Sequence, residues 1–251
     1  MVRGVDLFKE RFADYNGQYV FIGGAACDII LGREGVDFRA TKDLDIVLII
    51  EALSEDFVSR FAAFIEEGKY QHINKGTGQN QFYRFMDPKD RSFPIMIELF
   101  SRRPDYLKTI EARLSPIHVS DDVMSLSAIL LDDAYYALLK NGIITVNGVS
   151  VLDIEYLILF KIKAWLDLSK RKDQGEPVDS RDIKKHKNDV LRLAANLSPE
   201  KRLDIKGQIR EDAMAFVDDV AKEKIVLRDL GIHGAKLSDI IERITFCYGL
   251  N

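Results

Sequence analysis

The sequence predicts an α/β (α+β) protein: a strand-containing N-terminal half followed by a C-terminal helical bundle. Two observations carry this. Up to about residue 150, short apolar and β-branched runs alternate with helical patterns and turn signals. Beyond Asn147-Gly148, the apolar spacing is helical to the end. The shift places a boundary between residues 1–150 and 151–251. A chain of 251 residues, 47% of them apolar, can build the cores this requires.

The elements follow in order. Val5, Leu7, Phe8 and Phe12 give an amphipathic helix over residues 5–15 its inward face. Residues 18–22 read as a strand running into Gly23-Gly24, and residues 25–31 as a helix with Gly32 as its C-cap. Residues 44–50 are a near-unbroken apolar strand. Ser54 caps a helix to about Glu67, which buries Phe57, Phe61, Phe64 and Ile65. A polar stretch, 68–80, precedes strands at 81–86 and 93–100, joined by the turn Asp87-Pro-Lys-Asp. Short and long helices are expected at 107–113 and 126–140. Asn147-Gly148 joins strands 143–146 and 149–152 as a hairpin. Helices then span about 153–168, 180–196, 199–220 and 235–248, with the charged turn Lys170–Pro177 after the first.

Composition excludes several classes. Cys27 and Cys247 are too few and too far apart for a disulfide framework. No apolar run approaches the ~20 residues that span a bilayer, and Met1-Val-Arg-Gly-Val-Asp lacks a signal-peptide apolar region. A cytoplasmic protein without membrane attachment is the expectation. The net charge of −4 argues against a general nucleic-acid coat. Residues 159–206 nevertheless hold 13 Lys/Arg against 8 Asp/Glu. That segment either contacts a polyanion such as RNA or is a solvated helical face.

The strongest pattern is Tyr19-Val-Phe-Ile-Gly23-Gly24-Ala-Ala, followed by Thr41-Lys-Asp43-Leu-Asp45-Ile-Val-Leu. Alternate strand residues point the same way, so Asp43 and Asp45 share a face and Leu44 takes the other. Side-by-side carboxylates repel unless a cation lies between them. A glycine turn opening a helix lets phosphate approach backbone N–H groups. Together these residues suit a magnesium nucleotide, with Asp43 and Asp45 as metal ligands. In the bland alternative Asp43 ends the strand and Asp45 faces water. No GxGxxG, GxxxxGK[ST] or GxSxG occurs, and the four histidines lack metal-ligand spacing.

Apolar-Gly-Gly, a helix, then Asp-x-Asp on a strand resembles the DNA-polymerase-beta-type nucleotidyltransferase superfamily. The form Arg39-x-Thr41-x-Asp43-Leu-Asp45-Ile is similar to its bacterial AbiEii/AbiGii-toxin branch. A second block resembles the C-terminal motif of that branch: Glu155–Trp165 with Lys161 and Lys163, then Val178-Asp179-Ser-Arg181-Asp182. The resemblance implies a nucleotidyltransferase fold, a mixed sheet flanked by helices, over residues 1–150. It implies transfer of NMP from an NTP to an acceptor hydroxyl, with two magnesium ions. Gly23, Gly24, Thr41, Lys161 and, less directly, Lys163 would meet the nucleotide. It also implies a catalytic base, for which Glu98, Asp179 and Asp182 are the candidates. Glu98, a lone acid in Ile95-Met-Ile-Glu-Leu-Phe, would be a third metal carboxylate, or else a rim glutamate paired to Arg102 or Arg103. Asp179 also suits a helix N-cap. Two features depart from the pattern: 18 residues separate Gly24 from Asp43, and Gly24 replaces a serine found in many relatives.

Toxins of this branch form toxin–antitoxin pairs, and some members modify tRNA ends, so RNA and a cognate antitoxin are the partners implied. The alternatives are transfer to a small molecule such as an antibiotic, transfer to a protein, and a non-catalytic nucleotide-binding or regulatory module. Gly23–Arg33 also resembles the first motif of tRNA CCA-adding enzymes, whose later motifs are absent.

Overall fold

The computed structural model describes residues 2–33, 35–70, 82–102, 126 and 129–250. The polar stretch after Tyr70 and the short helix expected at 107–113 fall outside these residues. The chain divides into two units, Met1–Ser120 with Leu139–Asp153 and Asp121–Leu138 with Ile154–Asn251. The described residues 129–138 group with the helical unit.

The first unit is built on a six-stranded mixed sheet among the described residues, in the order β3-β4-β2-β1-β6-β5. The strands are β1 (Tyr19–Ile22), β2 (Asp43–Leu48), β3 (Phe82–Met86), β4 (Met96–Ser101), β5 (Ile143–Val146) and β6 (Val149–Leu152). β2 is antiparallel to β1 and parallel to β4, and β3 is antiparallel to β4. The β5–β6 turn has both central residues at positive φ, Asn147 at 51° and Gly148 at 83°, the geometry that a two-residue hairpin requires.

One sheet face is aromatic. Helices α1 (Val5–Phe12) and α3 (Glu55–Gly68) bring Phe8, Phe12, Phe57, Phe61 and Phe64 against Tyr19 and Phe21. All seven rings are buried. Phe8 stacks on Phe12 at 4.2 Å between ring centroids, and each such pair adds about 0.5–1.5 kcal/mol beyond its buried area. Leu7 of the expected inward face is only half-buried, because the ring contacts fall on Phe8 and Phe12. Ser54 caps α3 as expected, its Oγ accepting from Phe57 N at 3.2 Å. Register then fixes the second face. Ile46 pairs with Phe21 and Leu48 with Tyr19, so these side chains join the aromatic side. Asp43 and Asp45 project oppositely.

Several helix expectations change, among them the helix before the charged turn, which runs on to Asp173. α2 (Gly23–Arg33) begins at Gly23 itself and continues through Gly32, which is therefore not a C-cap. The long helix over 126–140 breaks at Asp132, whose carboxylate accepts from Ala134 N at 2.8 Å and Tyr135 N at 3.1 Å. That cap starts a separate helix, α4 (Asp133–Asn141). Finally, residues 199–206 are not helical, and Leu203 N instead donates to Cys247 O at 2.8 Å.

In the second unit, α5 (Ile154–Asp173) packs on α6 (Ser180–Ala195) and α7 (Gly207–Val220), and α8 (Leu237–Tyr248) packs on both of these. α5 is buried around most of its circumference, from Ile154 to Leu168. No helix among the described residues is long and apolar enough to cross a membrane.

Candidate active site

The glycine–carboxylate pattern closes in space within the first unit. Ile22, the last residue of β1, pairs with Asp45 of β2. Gly23 follows at φ +63°, and a Cβ placed there would lie 1.8 Å from Asp45 Oδ2. Position 23 thus requires glycine twice, for its left-handed backbone and for the carboxylate beside it. Gly24 is constrained differently. A Cβ there would meet Thr41 Oγ1 at 2.6 Å, so the Thr41 hydroxyl occupies the space beside the first turn of α2. The Cys27 thiol donates to Gly23 O at 3.0 Å, which ties that turn to the next.

Asp43 and Asp45 are each partly exposed, whereas Leu44 between them is buried. The alternation expected from sequence is therefore present. The carboxylates lie on the face that α2 enters, at the end where α2 starts.

Glu98 of β4 pairs in register with Asp45 and is buried. Among the described residues its partner is Arg84, across the sheet on β3, and not Arg102; Arg103 lies outside the described residues. Arg84 Nε donates to Glu98 Oε1 at 2.6 Å, and Nη2 reaches the same oxygen. Arg84 is the residue that sequence reasoning missed. Its signal was available: Arg84 and Glu98 are lone opposite charges in two apolar strands joined by one turn.

Among the described residues, no three His, Cys, Asp or Glu side chains gather into a group that could hold a metal ion. Glu98 commits one oxygen to Arg84, which sets it apart from Asp43 and Asp45. The remaining pair still suits magnesium, which binds through one or two carboxylates plus substrate phosphates rather than in an all-protein cage.

The other candidates lie in the second unit. Lys161 is 5% exposed, and its Nζ donates to Asp189 Oδ2 at 2.9 Å. Arg192 binds the other oxygen of Asp189 at 3.3 Å. Lys163 donates to Asp212 Oδ2 at 2.8 Å, and Tyr135 OH donates to that oxygen at 2.7 Å. Burial and the Asp212 charge push the Tyr135 phenol well above its ordinary pKa. A buried helix cannot carry uncompensated ammonium groups, and these aspartates compensate them. Asp179 caps α6, accepting from Arg181 N at 2.8 Å and from Arg181 Nε at 2.9 Å. Those bonds hold its carboxyl below the usual range. Asp182 sits half-buried in the first turn of the same helix.

Some of the basic residues of 159–206 are paired within the chain, while the Arg181 and Lys206 side chains stay exposed at 91% and 82%. Lys161, Lys163, Arg171, Arg181, Lys187, Arg192, Lys201 and Lys206 all make ion pairs with carboxylates.

No protein-family model matches the chain, and no curated protein matches it. Among solved structures, it is similar to the crystal structure of JHP933 from Helicobacter pylori at 14% identity, with a TM-score of 0.31. The match covers 97% of this chain and 90% of that one.

Proposed function

We propose that this protein is a magnesium-dependent nucleotidyltransferase that moves an NMP from an NTP to an acceptor hydroxyl. The observation that carries the reading is the meeting of Gly23 and Asp45: a side-chain-free helix start directly against one of two same-face carboxylates. A phosphate at that helix start would lie beside a cation held by those carboxylates, within one unit.

Asp43 and Asp45 would hold magnesium. When bound, the ion supplies positive charge to the triphosphate and to the attacking oxygen. The chain's own residues do the rest. Gly23 and Gly24 let phosphate oxygens approach the N-terminal N–H groups of α2, which carry partial positive charge. Thr41 offers a hydroxyl at the same turn. The acceptor oxygen would form a bond to the α-phosphorus, the bond from that phosphorus to the pyrophosphate oxygen would break, and the acceptor's proton would pass to solvent water. Burial of Leu44 and Ile46 beneath the strand holds both carboxylates in place before substrate arrives, which is where such sites gain rate.

The resemblance to the AbiEii/AbiGii branch makes a toxin acting on tRNA the form of this activity to test first. The protein would be incubated with magnesium, each α-labelled NTP in turn and total tRNA. An Asp43→Ala/Asp45→Ala variant serves as control. Label in RNA that depends on both aspartates supports the reading and names the base. Label on protein or on an added aminoglycoside keeps the reaction and changes the acceptor. No transfer and no magnesium-dependent NTP binding refutes it.

A further inference from the structure

Arg84, Glu98 and Asp45 form one row across three neighbouring strands, because Arg84 pairs with Glu98 and Glu98 with Asp45. Partners in register project from the same face, with strands about 4.8 Å apart. The row therefore runs from a cation on β3 to the carboxylate beside Gly23, and Asp43 lies two residues along on that face.

Two carboxylates at adjacent register positions repel. Glu98 and Asp45 stand in that relation, and the guanidinium of Arg84 offsets the cost. The pair is well fixed: the Arg84 side chain is 16% exposed and that of Glu98 is 8% exposed. Glu98 also commits one oxygen to two guanidinium nitrogens. A carboxylate held that way is poorly placed to remove a proton from an acceptor. An arginine held that way has lost the side-chain freedom that phosphate binding would otherwise cost.

We infer that Arg84 is a phosphate-binding residue of this site, and that Glu98 is a positioning residue that aims it rather than the catalytic base. The ligand is the phosphate chain of a nucleoside triphosphate, so the inference rests on the nucleotidyltransferase reading. It adds a cation to the site from within the first unit, whereas Lys161 and Lys163 of the second unit are held by Asp189 and Asp212.

The test is equilibrium binding of magnesium–ATP, –GTP, –CTP and –UTP to wild-type protein and to Arg84→Met, Glu98→Gln and the double variant. Adenosine, guanosine, cytidine and uridine are measured beside them. Arg84→Met should weaken triphosphate binding by roughly 10- to 100-fold, as expected for losing a charged hydrogen-bond partner. Nucleoside binding should not change. Glu98→Gln should weaken triphosphate binding in the same direction, and the double variant should lose no more than Arg84→Met alone, since the two act as one unit. Unchanged triphosphate affinity in Arg84→Met overturns the inference. So does a Glu98→Gln protein that binds normally and fails only in turnover. If wild-type protein binds no magnesium nucleotide, the functional reading itself fails and the inference falls with it. Should Arg84→Met not fold, modification of wild-type protein by phenylglyoxal decides. Magnesium nucleotide should protect the Arg84 peptide, and equal modification with and without nucleotide refutes the role.

Discussion

Replacing Gly23 by alanine perturbs the candidate site at its tightest point, and the structure sets the size of the effect. The added Cβ would lie 1.8 Å from Asp45 Oδ2, whereas carbon–oxygen contacts settle near 3.3–3.6 Å. The carboxylate must therefore move by roughly 1.5 Å. Backbone strain comes as well, because an L-residue at φ +63° costs about 1–2 kcal/mol. For a chain of this size that strain lowers Tm by about 2–8 °C. The displacement matters more for function, since an error of about 1 Å in a reacting group can cost about a hundredfold in rate. Gly35→Ala separates the two effects: Gly35 also has positive φ, +72°, but nothing among the described residues lies within 4 Å of its missing Cβ. Thermal unfolding and magnesium-dependent nucleotide binding would be measured for both variants. Both should lose stability, and only Gly23→Ala should lose nucleotide binding. Removing the carboxylate in Gly23→Ala/Asp45→Ala should return its Tm to that of Gly35→Ala. If Gly23→Ala binds nucleotide like wild type and melts like Gly35→Ala, Asp45 does not rest against Gly23 and the reasoning fails.

Three further outcomes follow from the same geometry. Lys161→Met leaves Asp189 buried and short of a cation, which should cost about 3–5 kcal/mol in denaturant unfolding; normal stability with weakened nucleotide binding would show a phosphate ligand instead. Tyr135→Phe removes one of the three side-chain donors to Asp212 among the described residues, the others being Lys163 and Gln208. It should cost about 1–2 kcal/mol, read by urea titration. Burial raises the Tyr19 phenol from 10.0 to about 12. The unfolded phenol therefore ionises first, and this contribution is complete below pH 10 and fades from there to about pH 12. The slope in that window is about 1.4 kcal/mol per pH unit, and Tyr19→Phe should remove one such increment from alkaline unfolding curves.

What could be read from the sequence was what neighbouring residues decide. Ser54 before an acidic first turn, Asn147-Gly148 between β-branched runs, and Asp43 and Asp45 flanking Leu44 each carry their geometry within a few positions. Pairings between distant residues could not be read this way. Glu98 was weighed against Arg102 and Arg103, close in sequence, yet register gave it Arg84 from across a hairpin. Lys161 is expected at the nucleotide from the resemblance, and its partner Asp189 comes from the next helix. The helical pattern from Pro199 was overridden because Leu203 found a backbone acceptor at Cys247. Gly23 gave the opposite result: glycine before a helix was visible, and the carboxylate that requires it became clear only once β1 and β2 were paired.

The central claim, that Asp43 and Asp45 hold the cation of a nucleotide at the Gly23 turn, is tested most directly with manganese. Free manganese would be followed by electron paramagnetic resonance as wild-type protein and Asp43→Asn/Asp45→Asn are titrated with a non-hydrolysable NTP. The account predicts that wild-type protein removes free manganese beyond what the nucleotide binds alone, and that the double variant does not. Equal manganese binding by both proteins, or none by wild type at saturating nucleotide, would contradict it.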